Sequence, residues 1–181
     1  MKITETALPG VLVLSPAIYR DGRGAFWETW NQGRLADAGL PSTWVQDNFS
    51  VSKKNVVRGI HYQLIHPQGK LVRVTHGAAL DVAVDLRRSS PTFARHVATE
   101  LTGDNGQMLW IPEGFGHAFL AVSDVVGVAY KVTDIYCPEG ERTIVWNDVD
   151  LKIPWPVCPG NAIVSEKDRK GMLLREAEVF A

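Results

Sequence analysis

The chain has 181 residues, 45% of them hydrophobic and 22% charged, the mix of a globular protein with a substantial core. Nineteen basic against 20 acidic side chains leave a formal net charge of -1, which excludes a global electrostatic pull toward nucleic acid or an anionic membrane. The two cysteines, Cys137 and Cys158, lie outside any Cys-x-x-Cys pair and make no disulfide framework.

The opening stretch, Met1 to Leu14, lacks the long apolar run and small-residue cleavage site of a secretory leader. No apolar run along the chain approaches the length needed to span a bilayer. The expectation is a cytoplasmic protein with neither membrane nor nucleic-acid partner. Turn signals are spread evenly, from Pro9-Gly10 and Asp21-Gly22 to Pro138–Gly140 and Pro159-Gly160. No repeat or linker interrupts them, so residues 1–181 read as one domain. Short segments rich in β-branched and aromatic residues lie between the turns and predict an all-β sandwich or barrel with a few short helices.

In chain order, a short helix is expected near Gln32–Gly39. Strands follow at Val56–Gln63, Lys70–His76, Ala79–Leu86, Gln107–Ile111 and Val125–Val132. The Ala79–Leu86 strand alternates most clearly. Leu80, Val82, Val84 and Leu86 fall on one face, Ala79, Asp81, Ala83 and Asp85 on the other. A small, acidic face is expected to meet solvent or a lined cavity rather than packed core. A second short helix is expected from Ser165, where Ser165-Glu166-Lys167-Asp168 has the form of a capping box. Taken alone, that pattern makes Asp168 a capping residue.

Two of the five histidines have informative neighbours. Arg58 and His61 are out of phase on a strand, and a bulge at Gly59 would bring them to one face. His117 ends a Pro-x-Gly-x-x-His turn, the second half of a cupin signature. Metal-binding cupins carry a second His two residues after the first, where this chain has Gln63. No compact set of three ligands appears, so a metal-dependent reaction ranks behind a metal-free one. His61, Lys70, Arg73, Tyr130 and Lys131 suit proton transfer beside a carbonyl. A neutral His takes the proton, a fixed cation meets the enolate oxygen, and a neutral Tyr returns a proton.

The ordered motifs Asp21-x-Arg23-Gly24-x-Phe26-x-Glu28, Gln46-Asp47-Asn48-x-Ser50, Arg58-Gly59-Ile60-His61, Gly69-Lys70-Leu71-Val72-Arg73, Trp110 to His117, Tyr130-Lys131, Ile144-x-Trp146-Asn147-Asp148 and Ser165-x-Lys167-Asp168 run through nearly the whole chain. Together they resemble the dTDP-4-dehydrorhamnose 3,5-epimerase family. The resemblance implies a cupin-type jelly roll, a homodimer, a dTDP-sugar substrate and no metal or organic cofactor. It implies His61 as base, Asp168 as its carboxylate partner, Tyr130 as acid and Lys70 at the enolate oxygen. Arg58, Gln63, Asp81 and His117 would surround or support the sugar. Arg23, Phe26, Glu28, Gln46 and Asn48 would hold the nucleotide. The family commonly has Gly after the second His, and Ala118 in its place adds one methyl, small enough to be tolerated, with a narrowed sugar pocket as the alternative. Other readings are a single-centre epimerase, a metal-dependent cupin and a non-catalytic sugar-nucleotide binder.

Overall fold

The computed structural model describes residues 1–181. Fourteen strands follow in order: β1 (Lys2–Glu5), β2 (Leu12–Ser15), β3 (Tyr19–Asp21), β4 (Gly24–Phe26), β5 (Gln46–Lys53), β6 (Val56–Gln63), β7 (Lys70–His76), β8 (Ala78–Asp85), β9 (His96–Thr102), β10 (Met108–Ile111), β11 (Phe115–Ala121), β12 (Val125–Val132), β13 (Glu141–Thr143) and β14 (Ile163–Val164). Two short helices, α1 (Gln32–Asp37) and α2 (Glu166–Arg169), lie outside the sheets. The strands expected at Val56–Gln63, Lys70–His76 and Val125–Val132 have those bounds, the one expected at Ala79–Leu86 lies one residue earlier at both ends, and the one expected at Gln107–Ile111 starts one residue later.

One sheet has the order β1-β2-β10-β7-β12-β5 and the other β13-β6-β11-β8-β9, with β14 running parallel to β6 and β3–β4 forming a separate hairpin. This is the cupin-type jelly roll. Val72, Val74, Leu109, Ile111, Val126 and Val128 of the first sheet pack on Ala79, Ala83, Leu101, Phe115, Phe119 and Ala121 of the second. Burying each large apolar side chain stabilises the fold by about 1.5–3 kcal/mol.

The acidic face of β8 corrects the expectation. Ala79 and Ala83 belong to the packed core, and Asp81 and Asp85 are fully buried. Small side chains let the sheets close, and each carboxylate has partners. Asp85 accepts from Arg87, Ser90 and Thr92 at 2.6–3.0 Å. Asp81 faces His117. The opposite face of β8 is also buried, because Ile144, Leu151, Leu174 and Ala177 cover Val82, Val84 and Leu86. A C-terminal overlay of this kind leaves no periodic mark on the strand it covers.

Candidate functional site

At one end of the roll, between the sheets, lies a cavity of about 280 Å³ lined by Asn48, Ser50, Arg58, His61, Gln63, Lys70, His117, Tyr130, Tyr136 and Glu141 among others. A neighbouring recess of about 320 Å³ shares Asn48 and Tyr130 with it.

The pairing of β6 with β11 sets His61. His117 lies opposite His61 and Phe119 opposite Arg58, so three steps on β6 match two on β11. This bulge brings Arg58 and His61 to the same cavity. Gly59 sits at the bulge with φ +108°, and a Cβ there would lie 2.4 Å from the His117 carbonyl oxygen. Only glycine accepts both that backbone and that approach.

Two His–Asp pairs result. His61 Nε2 lies 2.7 Å from Asp168 Oδ1, the imidazole 32% exposed and the carboxylate 4%. His117 Nε2 lies 3.1 and 3.0 Å from the two oxygens of Asp81, at 9% and 0% exposure. Burial pushes the Asp168 carboxyl up, but the contact with His61 and the Gly59 N–H outweigh it and hold the group below its ordinary value. Ionised Asp168 accepts, so the His61 ring proton resides on Nε2 and Nδ1 keeps the free lone pair.

Only half of the capping box forms, and the Asp168 carboxylate takes the other role. The Ser165 side chain accepts from the Asp168 N–H at 3.1 Å, which caps α2. The Asp168 carboxylate turns away from the cap to His61 and to the Gly59 N–H at 3.3 Å.

Lys70 begins β7 and faces inward, buried. Burial lowers its ammonium to about 8, against the opposing pull of Glu141 and Asp81. Tyr130 is raised by burial, with Arg58 lowering it and Glu141 raising it, so the phenol keeps its proton at neutral pH. Its ring centre lies 6.5 Å from that of His117. Arg58 is anchored by its Nε donating to Ser52 Oγ at 3.0 Å.

Strand alternation separates Arg73 and Lys131 from this group. Arg73 lines the neighbouring recess with Leu71 and Met108. Lys131 pairs with Asp47 at 2.9 Å and lies over Trp30. Gln63 lines the cavity, but its amide is held by backbone. Nε2 donates to the His66 and Ile135 carbonyls, and Oε1 accepts from the Cys137 N–H. No group of three or more His, Cys, Asp or Glu is placed to hold a metal ion. The Ala118 side chain points into the packed layer behind the sheet with Ile60 and Tyr62, away from His117, so it does not narrow the pocket.

Gln46 reaches the site through Asn48, whose Oδ1 accepts from Gln46 Nε2 at 2.8 Å. Arg23, Phe26 and Glu28 are not brought to the cavity within one chain. Arg23 pairs with Asp21 at 2.7 Å on the β3–β4 hairpin, 91% exposed, and Phe26 is 72% exposed beside it. Glu28 lies near α1, against Arg34 and Asn31.

Sequence reasoning missed Glu141. It lines the cavity, accepts from the Tyr136 hydroxyl at 2.8 Å and pairs with Lys167. Burial raises its carboxyl, but Lys167 and Tyr136 outweigh this and keep it low. Only the register, with Glu141 opposite Gln63, reveals its place.

The fold and cavity define a cupin-type jelly roll with a His–Asp pair, a tyrosine phenol and a buried lysine around one small chamber. The profile of the dTDP-4-dehydrorhamnose 3,5-epimerase family matches residues 5–176, and the chain belongs to that family. It is 48% identical over 181 residues to the dTDP-4-dehydrorhamnose 3,5-epimerase of Pseudomonas aeruginosa, covering 99% of each chain. It is 36% identical to a dTDP-4-dehydrorhamnose 3-epimerase of Streptomyces niveus, covering 98% of this chain and 86% of that one. A crystal structure of a 3,5-epimerase from Legionella pneumophila in complex with dTDP-4-keto-L-rhamnose superposes with a TM-score of 0.94 at 42% identity, covering 98% of this chain and 94% of that one.

Proposed function

We propose that this chain epimerises dTDP-4-dehydro-6-deoxy-D-glucose at C3 and C5, giving dTDP-4-dehydro-L-rhamnose. The observation that carries the reading is the His61–Asp168 pair at 2.7 Å, open to a cavity that also holds Lys70 and Tyr130. Both carbons flank the C4 ketone, so each C–H bond is a weak carbon acid. His61 Nδ1 takes the proton, and the bonding electrons move onto the ketone oxygen. Lys70 as ammonium stabilises the enolate oxygen in a site shielded from water. As the enolate electrons return to carbon, Tyr130 gives its proton to the opposite face, which inverts the centre; Tyr130 then recovers a proton from solvent and His61 releases to solvent the one it took. Asp168 fixes the tautomer of His61 and stabilises the imidazolium during turnover. The protein residues supply every group these steps use.

Arg58 and His117 face the sugar, with Asp81 holding the His117 ring. We assign Gln46 and Asn48 to the nucleotide. In a homodimer, the hairpin of a second copy would bring Arg23 and Phe26 to this cavity. Their exposure, and the exposed Phe49 and Val51 on the unpaired edge strand β5, support that arrangement. A cytoplasmic location fits a nucleotide-sugar substrate.

The test is NMR of the substrate incubated with enzyme in heavy water. Deuterium at C3 and C5 with a rhamno-configured product is expected. Exchange at a single carbon would make the chain a monoepimerase, like the Streptomyces niveus relative. No exchange at either would remove the reading.

A further inference from the structure

The base and its carboxylate are 107 residues apart in sequence, and a strip of backbone fixes their separation. Thr143 lies opposite His61 in the β13–β6 pairing. Ile144 exchanges both backbone hydrogen bonds with Ile60, at 3.0 and 3.1 Å. On its other side, the Met172 N–H donates to the Thr143 carbonyl at 2.9 Å and the Val145 N–H to the Met172 carbonyl at 3.0 Å. Residues 143–145 therefore lie between the strand that bears His61 and the segment that leaves α2 after Asp168.

Asp148 closes this strip. It is 3% exposed and has no cation partner. Its Oδ1 accepts from the Asp150 and Leu151 N–H groups at 2.8 and 3.2 Å, and its Oδ2 accepts from the Leu174 N–H at 2.8 Å. One carboxylate thus ties the turn after residue 145 to the chain two residues beyond Met172. A buried charge held only by three backbone N–H groups is sharply directional, because losing any one leaves it under-satisfied.

We propose that Asp148 is a positioning residue for the reaction. It locks the segment following α2 against the 143–145 strip, and so holds the Asp168 carboxylate at bonding distance from His61. This rests on the epimerase reading for its kinetic consequence, while its structural core is independent of turnover. Asp148→Asn keeps one acceptor oxygen but presents an NH2 group where the other N–H needs an acceptor. Gly171→Ala disturbs the same link from its far side, since a Cβ there would lie 2.9 Å from the Val145 nitrogen.

The experiment compares wild type, Asp148→Asn, Asp168→Asn and the double variant, each confirmed folded by circular dichroism. Two readouts are taken. One is kcat, and the other is the downfield proton resonance of the His61 ring N–H bonded to Asp168. Asp148→Asn is expected to lower kcat about tenfold and to be nearly silent in the Asp168→Asn background, the mark of action through one shared group. The ring resonance should shift or broaden in Asp148→Asn and vanish in Asp168→Asn. If Asp148→Asn does not fold, Gly171→Ala is expected to move the resonance in the same way. An unchanged resonance, or losses that multiply in the double variant, would overturn the proposal. Wild-type enzyme lacking exchange at C3 and C5 would sink the epimerase reading instead, and the resonance would still decide the role of Asp148.

Discussion

The molecule holds two His–Asp pairs whose histidines face each other in register on the adjacent strands β6 and β11, and they differ in almost everything but composition. His61–Asp168 joins a strand to a helix across the molecule, with the ring about one-third exposed. His117–Asp81 joins neighbouring strands β11 and β8, where Phe119 is opposite Asp81 in register, and is nearly sealed. A partly exposed ring can meet a substrate carbon and exchange its proton. A sealed one is a fixed donor whose loss leaves a charge in the interior. The same two residue types are thus divided by burial into a pair open enough to exchange protons and a pair that holds a fixed ring at the cavity wall.

That contrast can be broken by experiment. The largest effect expected is on His61→Ala, which should lower kcat roughly 10³- to 10⁴-fold with binding of dTDP nearly intact. Its stability should fall little, because Asp168 keeps its bond from the Gly59 N–H. His117→Ala should do the reverse in stability, costing about 3–5 kcal/mol in denaturant unfolding as Asp81 loses its partner in the interior. If the two variants unfold at the same denaturant concentration, burial does not separate the pairs.

Lys70→Met should cost about 10²- to 10³-fold in kcat, the typical loss for removing one group that stabilises an oxyanion. The native enzyme sharpens this point through pH. The ammonium titrates near 8 rather than 10.5, and its charged form is the useful one. Activity should therefore fall as pH rises through about 8. A profile flat to pH 10 would remove the requirement for charged Lys70.

The hairpin sets a second contrast, between the cavity and a region far from it in the single chain. Arg23→Ala should raise KM by about tenfold, the worth of one charge-assisted phosphate contact, with kcat little changed. Mixing Arg23→Ala with His61→Ala chains should restore part of the activity if hairpin and cavity work between subunits. The smallest effect expected is on Ser165→Ala, which should cost about 1 kcal/mol of stability as α2 loses its cap. A thermal melt would report it.

Periodicity placed β6, β7 and β12 because their apolar residues recur with the sheet's pleat. It did not reveal β5, whose inward side chains are Gln46, Asn48, Ser50 and Ser52 while Phe49 and Val51 point out. A strand lining a polar cavity inverts the usual pattern, so hydrophobicity alone reads it as a turn or loop. The acidic face of β8 was misjudged for a related reason. Asp81 and Asp85 are satisfied by partners that only the folded chain supplies.

By itself, the sequence determined the all-β architecture, the inward-aimed His117 turn, the cap on α2 and, through its ordered motifs, the family. Tertiary structure decided the rest: how the Asp168 carboxylate reaches the His61 with which the motifs pair it, that Glu141 enters the cavity, and that Ala118 stays out of it. Local backbone preferences act over a few residues and are written in residue order. Pairing of charges across 107 residues depends on sheet register and burial, which arise only when distant strands share one core.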